Sequence, residues 1–149
     1  MLIIVFSVIF GLLFCIYFGP KTGRAVFLNS ESLKELYNPF IVFIWITGIP
    51  FFTALFLGWQ ICSDIRYDQA FTIKNANRLK RISALSMIEG ILYVAAFFYP
   101  FLVGIDHTMF LVILLLILFF ALVISVFTSM LSYLFRNASE IKQDNDLTI

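Results

Sequence analysis

Long stretches without a charged side chain limit what this chain can fold into more than any other feature of its sequence. No Asp, Glu, Lys, Arg or His occurs in residues 1–20, 36–63 or 108–135, and residues 82–103 contain only Glu89. As an α-helix, which rises about 1.5 Å per residue, each stretch is long enough to cross roughly 30 Å of hydrocarbon. The sequence therefore predicts four transmembrane helices.

The predicted helices cover about residues 2–18, 40–62, 82–103 and 109–135, and a tail follows at residues 136–149. They use most of the 149 residues, of which 62% are hydrophobic and 13% are charged. Because backbone polar groups in lipid need partners within the protein, the α-helix is the element that crosses the membrane here. We predict one all-α domain that includes the whole chain, an integral membrane bundle of four transmembrane helices.

The distribution of Lys and Arg predicts the orientation of this bundle. Seven of these residues fall on one side, in residues 63–81 and in the tail, whereas Lys21, Arg24 and Lys34 fall on the other side. Short loops rich in Lys and Arg stay in the cytoplasm. We therefore expect the N-terminus, the C-terminus and the loop at residues 63–81 to be cytoplasmic.

Small side chains recur four residues apart in each predicted helix. The rows are Ser7, Gly11, Cys15 and Gly19; Ala54 and Gly58; Ser86 and Gly90; and Ala121, Ser125 and Ser129. Helices in lipid associate through close backbone approach and interhelical hydrogen bonds, which small residues permit. The rows predict that the four helices pack on one another, and a homo-oligomer interface is the alternative.

Glu89 is the one charged residue predicted at membrane depth, about 12 Å into its helix from Arg81. Tyr93 lies one turn further along the same helix, and Gln60 on the second helix is the neighbour that we expect to face the carboxylate. Intramembrane carboxylates mark proton relays and substrate sites, and Pro50 predicts a helix kink of the kind that lines cavities. A hydrogen-bonded packing role for Glu89 is the simpler interpretation.

No catalytic constellation is visible in the sequence. It contains no Ser, His and Asp set, no phosphate-binding Gly-rich loop and no pair of carboxylates at a functional spacing. The single His and the two Cys form no cluster with the spacing of metal ligands. We expect a non-enzymatic protein without a metal ion or cofactor.

The loop at residues 63–81 carries five basic and two acidic side chains, interleaved with apolar residues. This pattern is typical of a segment that lies against the anionic headgroups of a lipid bilayer. A docking surface for a cytoplasmic protein is the alternative, with candidate residues Arg66, Phe71, Arg78, Lys80 and Arg81. Nothing in the loop resembles a recognition helix, so we expect no direct binding of nucleic acid.

The loop on the other side of the membrane predicts a short helix at about residues 30–37. Ser30 is a suitable N-cap for this helix. Pro39 is expected to end it, because proline disfavours helical backbone in the residue before it.

Four segments of the chain carry a family resemblance: GIPFFTALF, DQAFTIKNANRLKRI, ILYVAAFFYPF and the closing NASEIKQDNDLTI. The end fits the pattern K-x-[DE]-N-[DE]-L-T-[IV] with Lys142, Asp144, Asn145, Asp146, Leu147, Thr148 and Ile149. In these segments the chain resembles the bacterial four-helix membrane proteins grouped as domain of unknown function 2975. The resemblance implies a multi-pass protein of the bacterial cell (inner) membrane, without established activity, whose members are associated with a small helix-turn-helix regulator encoded beside them.

The tail and the middle loop carry opposite charge. With the terminal carboxylate, residues 137–149 have a net charge of minus three, and residues 63–81 have plus three. We predict that the tail folds over the loop, with Leu147 and Ile149 near Phe71 or at the mouth of the bundle. Surface ion pairs contribute about 0–1 kcal/mol each, and burial of one Leu or Ile adds roughly 1.5–3 kcal/mol.

The leading hypothesis from the sequence is a membrane protein whose cytoplasmic loop and tail bind a partner, such as a small helix-turn-helix transcription regulator. The tail would contribute Asp144, Asn145, Asp146, Leu147 and Ile149. One alternative is a small-molecule or ion carrier, or another ligand-binding membrane protein, that uses Glu89. A second alternative is an immunity protein against a membrane-active peptide.

Overall fold

The computed structural model describes residues 2–28, 31–67, 69–103 and 108–147, and every regular element in these residues is helical. The elements are α1 (Leu2–Leu13), a π-helical segment (Phe14–Phe18), α2 (Gly19–Phe27), a 3-10 helix (Glu31–Leu36), α3 (Tyr37–Arg66), α4 (Ile73–Val103) and α5 (Thr108–Leu147). The stretches long and apolar enough to cross a membrane are Leu2–Ala25, Lys34–Arg66, Ile73–Tyr99 and Leu114–Gln143. The prediction of an all-α protein with four transmembrane helices is confirmed.

The first transmembrane helix is longer than predicted, because helical backbone continues past Phe18 to the end of α2. Pro20 has no N–H group and would leave a carbonyl oxygen of the preceding turn without a partner in a regular α-helix. The π-helical segment changes the pairing just before it: the Gly19 N–H donates to the Phe14 carbonyl oxygen, five residues earlier. The helix therefore accommodates the proline instead of ending at it.

The helix predicted at residues 30–37 is found in part, as the 3-10 helix that leads into α3. Pro39 was expected to end this helix. Instead it lies in the first turn of α3, which begins at Tyr37. Proline is tolerated there because N–H groups of the first turn have no partner within the helix. Ser30, the predicted N-cap, lies outside the described residues.

The transmembrane helices form a row in which each contacts the next. α4 packs most extensively on α5, α3 packs on α4, and α1 packs on α3. Within the described residues, no Cα atom of α1 lies within 8 Å of a Cα atom of α5. The bundle therefore has three close helix–helix seams and a fourth side, between α1 and α5, where the backbones stay apart.

Serine hydroxyls join α4 to α5. The Ser83 hydroxyl donates to the Ser125 carbonyl oxygen at 2.9 Å, and the Ser125 hydroxyl donates to the Ser83 carbonyl oxygen at 3.1 Å. Nearer the end of α5, the Ser132 hydroxyl donates to the Ala76 carbonyl oxygen at 2.7 Å. Interhelical hydrogen bonds of this kind contribute about 0.6 kcal/mol each in a membrane. The packing role predicted for the fourth helix is confirmed for Ser125, whereas Ser129 is exposed.

The predicted tail is a continuation of α5. This helix has 40 residues and, at 1.5 Å per residue, is about 60 Å long. A bilayer with its headgroups is about 40–45 Å thick, so the last turns of α5 project beyond it. The prediction that the tail folds back over the middle loop is wrong for residues 136–147, because they are helical. It is α5 itself that meets the loop, where the Phe71 and Phe135 rings lie 5.0 Å apart.

Gly11 allows α1 to approach α3 closely, whereas Gly58 faces open space. A Cβ atom at Gly11 would lie 2.9 Å from Phe51 Cε1, but one at Gly58 would have no neighbouring heavy atom within 4 Å. The helix contact predicted for Gly58 is therefore wrong. Its spacing from Ala54 is suitable, but this side of α3 has no helix against it.

We expect Gly11→Leu to lower the free energy of unfolding by about 1–3 kcal/mol, the usual cost of overpacking. The matched variant Gly58→Leu should not lower it, because the added Cβ atom meets no neighbouring heavy atom and Leu favours the helix more than Gly does. Thermal unfolding of both variants in detergent measures the difference. Equal losses would contradict the close α1–α3 seam.

Candidate functional site

A cavity of about 770 Å³ lies between the transmembrane helices. Its wall is formed by α1, the π-helical segment, α3, α4 and α5, and it is mostly apolar. The polar side chains in the wall are Cys15, Thr47, Ser86, Glu89 and Tyr93. Small-molecule sites typically measure about 300–1,000 Å³ and combine apolar walls with a few polar groups. This cavity is therefore the candidate functional site.

Aromatic rings make up a large part of the cavity wall. They are Phe10, Phe14, Phe40, Phe43, Phe51, Tyr93 and Phe120. A second, smaller cavity of about 250 Å³ shares Phe40 and Phe43 with the first and is apolar throughout most of its wall. The faces of aromatic rings carry partial negative charge and attract cations. The aromatic rings of this apolar wall can therefore attract a cationic ligand.

Glu89 is the one charged side chain among the residues that line the cavity. Its Oε2 atom is buried and has no hydrogen-bond partner within the described part of the chain. A buried polar atom without a partner costs about 1–3 kcal/mol. Nor does Glu89 belong to a metal cluster, because the described residues contain no group of three or more His, Cys, Asp or Glu that could hold a metal ion. The site therefore offers an unused hydrogen-bond acceptor.

Tyr93 and Thr47 flank Glu89 on the cavity wall. Tyr93 lies one turn from Glu89 on α4, as predicted, and its ring meets the Phe43 ring edge-on at 5.4 Å. Thr47 of α3 lines the same cavity as Glu89 and Tyr93. The Thr47 hydroxyl also lies 3.0 Å from the Phe43 carbonyl oxygen, to which it donates. Together these side chains form a polar strip on a mostly apolar wall.

Gln60 does not lie near Glu89, contrary to the prediction, and it is not part of the cavity wall. The contact between Phe43 and Tyr93 sets the register of the antiparallel helices α3 and α4. One turn from Tyr93, Glu89 is therefore level with Thr47. Gln60 lies more than three turns further along α3, which is about 20 Å. The sequence predicted that both residues are in the membrane but not their relative depth.

Two of the predicted partner-binding residues have packing roles at the end of the bundle where α3 meets α4. Arg78 Nη1 lies 2.6 Å from Asp64 Oδ2 and 2.7 Å from Asn75 Oδ1, and the Arg78 side chain is only 11% exposed. Arg78 therefore joins α3 to α4 and is not available to a partner. Phe71 packs edge-on against Phe135 of α5, although it is still half exposed.

Asn75 holds the turn between α3 and α4. It is fully buried, and its Nδ2 donates to the carbonyl oxygens of Gln69 at 3.0 Å and Ala70 at 3.1 Å. Its backbone N–H donates to Thr72 Oγ1 at 3.3 Å. Asn side chains commonly satisfy backbone groups in turns, which fixes the turn geometry. Asn75 was not among the predicted residues, although an Asn just after a loop was a usable signal.

The other predicted partner-binding residues that the structure describes lie at the same end. Arg66, Lys80 and Arg81 are exposed. The backbone of residues 144–147 belongs to α5, but their side chains lie outside the described part of the chain, as does all of Ile149. We call residues 63–81 and 136–147 the charged end of the bundle. Binding of a partner there stays a prediction.

The fold and the cavity together define a multi-pass membrane protein with four transmembrane helices. The chain belongs to the family described as protein of unknown function DUF2975, whose model matches residues 27–149. It is 32% identical over 140 residues to the uncharacterized membrane protein YoaS of Bacillus subtilis (strain 168), across 91% of this chain and 86% of that protein. No solved structure matches the chain at a significant level. The family resemblance seen in the sequence is confirmed.

We expect Asn75→Ala to lower the free energy of unfolding by about 1–3 kcal/mol, because it removes the amide donor to the Gln69 and Ala70 carbonyl oxygens and the acceptor for the largely buried Arg78. The matched variant Asn77→Ala removes an exposed side chain from the same helix and should change it by less than about 0.5 kcal/mol. Thermal unfolding in detergent compares the two. Similar values for both variants would show that Asn75 does not hold the turn.

Proposed function

We propose that this protein binds a small, largely apolar ligand inside the membrane, in the central cavity, and that the Glu89 carboxyl group recognises it. One observation carries the proposal. Glu89 Oε2 is buried without a partner in the wall of a cavity of about 770 Å³. A hydrogen-bond donor on a ligand would satisfy this atom. The function is that of a carrier or receptor rather than that of an enzyme.

A purely structural role for Glu89 agrees less well with its surroundings. A polar side chain stabilises a membrane bundle by hydrogen bonding to a neighbouring helix. The hydroxyls of Ser83, Ser125 and Ser132 do this between α4 and α5. Glu89 Oε2 makes no such bond within the described residues. A carboxyl group that is costly to bury and gives no packing bond in return is better explained by a ligand.

Irregular helix geometry at the cavity supports the proposal. The π-helical segment of the first helix places Phe14 and Cys15 in the cavity wall, and Pro50 of α3 also lines it. π-helical segments are rare and frequently occur at functional sites. Proline removes a backbone hydrogen bond from a helix. Both features cost stability, and both lie at the cavity.

Saturable photolabelling tests this function. The probe is 3-(trifluoromethyl)-3-(m-iodophenyl)diazirine, a small apolar reagent that dissolves in bilayers, applied to membranes that contain the full chain. We expect labelling to reach a plateau at the cavity residues Leu85 and Ile117, because a cavity holds a limited number of molecules. At the exposed residues Leu115 and Leu116, labelling should rise in proportion to the reagent.

A pair of Ala→Phe variants provides the control. Ala54 lines the cavity, so Ala54→Phe should fill part of it and remove the plateau at Leu85. Ala84 is exposed on α4 and is not part of the cavity wall, so Ala84→Phe should keep the plateau. Proportional labelling at every residue of the unmodified chain would refute the proposed function.

A second candidate function is the binding of a cytoplasmic protein at the charged end. Its support is a rigid turn held by Asn75, the exposed Arg66, Lys80 and Arg81, and the length of α5 beyond the bilayer. The family resemblance suggests a small helix-turn-helix regulator as the partner. This proposal includes the orientation expected from the basic residues, with both termini in the cytoplasm and the bundle in the bacterial inner membrane.

Co-purification with a small helix-turn-helix regulator, the partner that the family resemblance implies, tests the second candidate. Lys80→Glu combined with Arg81→Glu should lower its recovery about tenfold, because two surface attractions of up to about 1 kcal/mol become repulsions. Lys21→Glu combined with Arg24→Glu makes the same change of charge at the opposite end of the bundle and should not alter recovery. Equal recovery with both double variants would exclude the charged end as the binding surface.

A further inference from the structure

We infer that the ligand of the central cavity is a lipophilic organic cation. The inference rests on the proposed ligand-binding function and adds the charge of the ligand. Three observations carry it: the charge of the side chains in the cavity wall, the aromatic rings of that wall, and the open side of the bundle.

The wall contains an acid but no base. Among the described residues, Glu89 is its only carboxylate, and no Lys, Arg or His side chain lines the cavity. The other titratable side chains that face the cavity are Cys15 on the first helix and Tyr93 on α4, while the lining residues of α3 and α5 include none. At neutral pH a thiol and a phenol carry no positive charge. An ionised Glu89 therefore has no compensating charge in the wall, and a cationic ligand supplies one.

The aromatic rings favour the same sign of charge. Phe14 and Phe51 lie in the wall near the middle of the bundle, and Phe43 and Tyr93 form an edge-on pair there. Ring faces attract quaternary and protonated ammonium groups most strongly where water is excluded. A cation in the cavity is attracted by the carboxylate, whereas an anion meets like charge there. The charge and the aromatic content of the wall thus both favour a cationic ligand over an anionic one.

The open side of the bundle determines where the ligand comes from. The backbones of α1 and α5 stay apart in the described residues, yet Phe10 of α1 and Phe120 of α5 both belong to the cavity wall. Exposed apolar side chains, among them Phe6 and Phe119, surround this side and face lipid in a membrane. A ligand that reaches the cavity here must dissolve in the bilayer. This requirement selects an organic cation with a large apolar surface over a hydrated metal ion.

Two ions of nearly equal size and shape but opposite charge test the inference. Tetraphenylphosphonium and tetraphenylborate are each titrated against diazirine labelling of Leu85, in membranes that contain the unmodified chain or Glu89→Gln. The comparison of the two chains is made separately for each ion, so the different partitioning of the ions into lipid cancels. Gln has almost the same shape as Glu, which keeps the packing of the wall.

We expect Glu89→Gln to raise the tetraphenylphosphonium concentration needed for half-displacement about tenfold or more, because a charge pair is strong where water is excluded. The tetraphenylborate concentration should stay the same or fall. Glu89→Asp, which keeps the charge, should retain most of the cation affinity of the unmodified chain. This rescue separates recognition of charge from a merely structural effect of residue 89.

The outcomes separate the two proposals. If labelling reaches a plateau but Glu89→Gln changes the half-displacement concentration of neither ion, or raises it equally for both, the cation inference is overturned and the ligand-binding function stands. If the unmodified chain shows no plateau at Leu85, the ligand-binding function fails first. Should Glu89→Gln lose its plateau through misfolding, the unmodified chain still decides: no displacement by tetraphenylphosphonium overturns the inference.

Discussion

In a lipid bilayer, unlike in water, burying apolar surface between helices gives no hydrophobic free energy, and this constraint shapes the bundle. Helices in a bilayer hold together only where small residues allow close approach or hydroxyls bond across the seam. Ser83 and Ser125 provide such bonds between α4 and α5, and Gly11 provides close approach between α1 and α3. Between α1 and α5 the described residues provide neither. The bundle is therefore closed along three seams and keeps a cavity behind the fourth side.

The number of transmembrane helices followed from the sequence because the thickness of the bilayer sets a minimum length for any uncharged helix. Their ends did not follow from the sequence, because hydropathy detects the lipid boundary and not the end of the helical backbone. α5 continues from Phe135 to Leu147 on polar residues that are equally compatible with helix. Pro20 and Pro39 look like helix ends, yet one follows a π-helical segment and the other falls in a first turn.

The candidate site was predictable in part. Glu89 and Tyr93 were found because a carboxylate inside a membrane is costly and therefore conspicuous, and a neighbour one turn away shares its face. The aromatic wall was not found, because a helix that is apolar on all sides gives no periodic signal of which face points inward. Gln60 was misplaced because composition contains no information on the register of two helices. Arg78 counted as a surface charge, although its Asp64 partner lies on another helix.

The central cavity and the charged end share one helix, so the two candidate functions are compatible. α4 carries Glu89 in the cavity wall, and eleven residues earlier, about 16 Å along the helix, it carries Arg78 in the contact with Asp64. A ligand at Glu89 changes the affinity of a partner at the charged end only if α4 has two positions that the ligand binds unequally. The reverse effect then has the same size, because coupling between two binding sites is reciprocal. The ion pair with Asp64 and the serine hydrogen bonds to α5 oppose such a movement of α4. The face of α4 that lines the cavity is therefore the least restrained part of the helix.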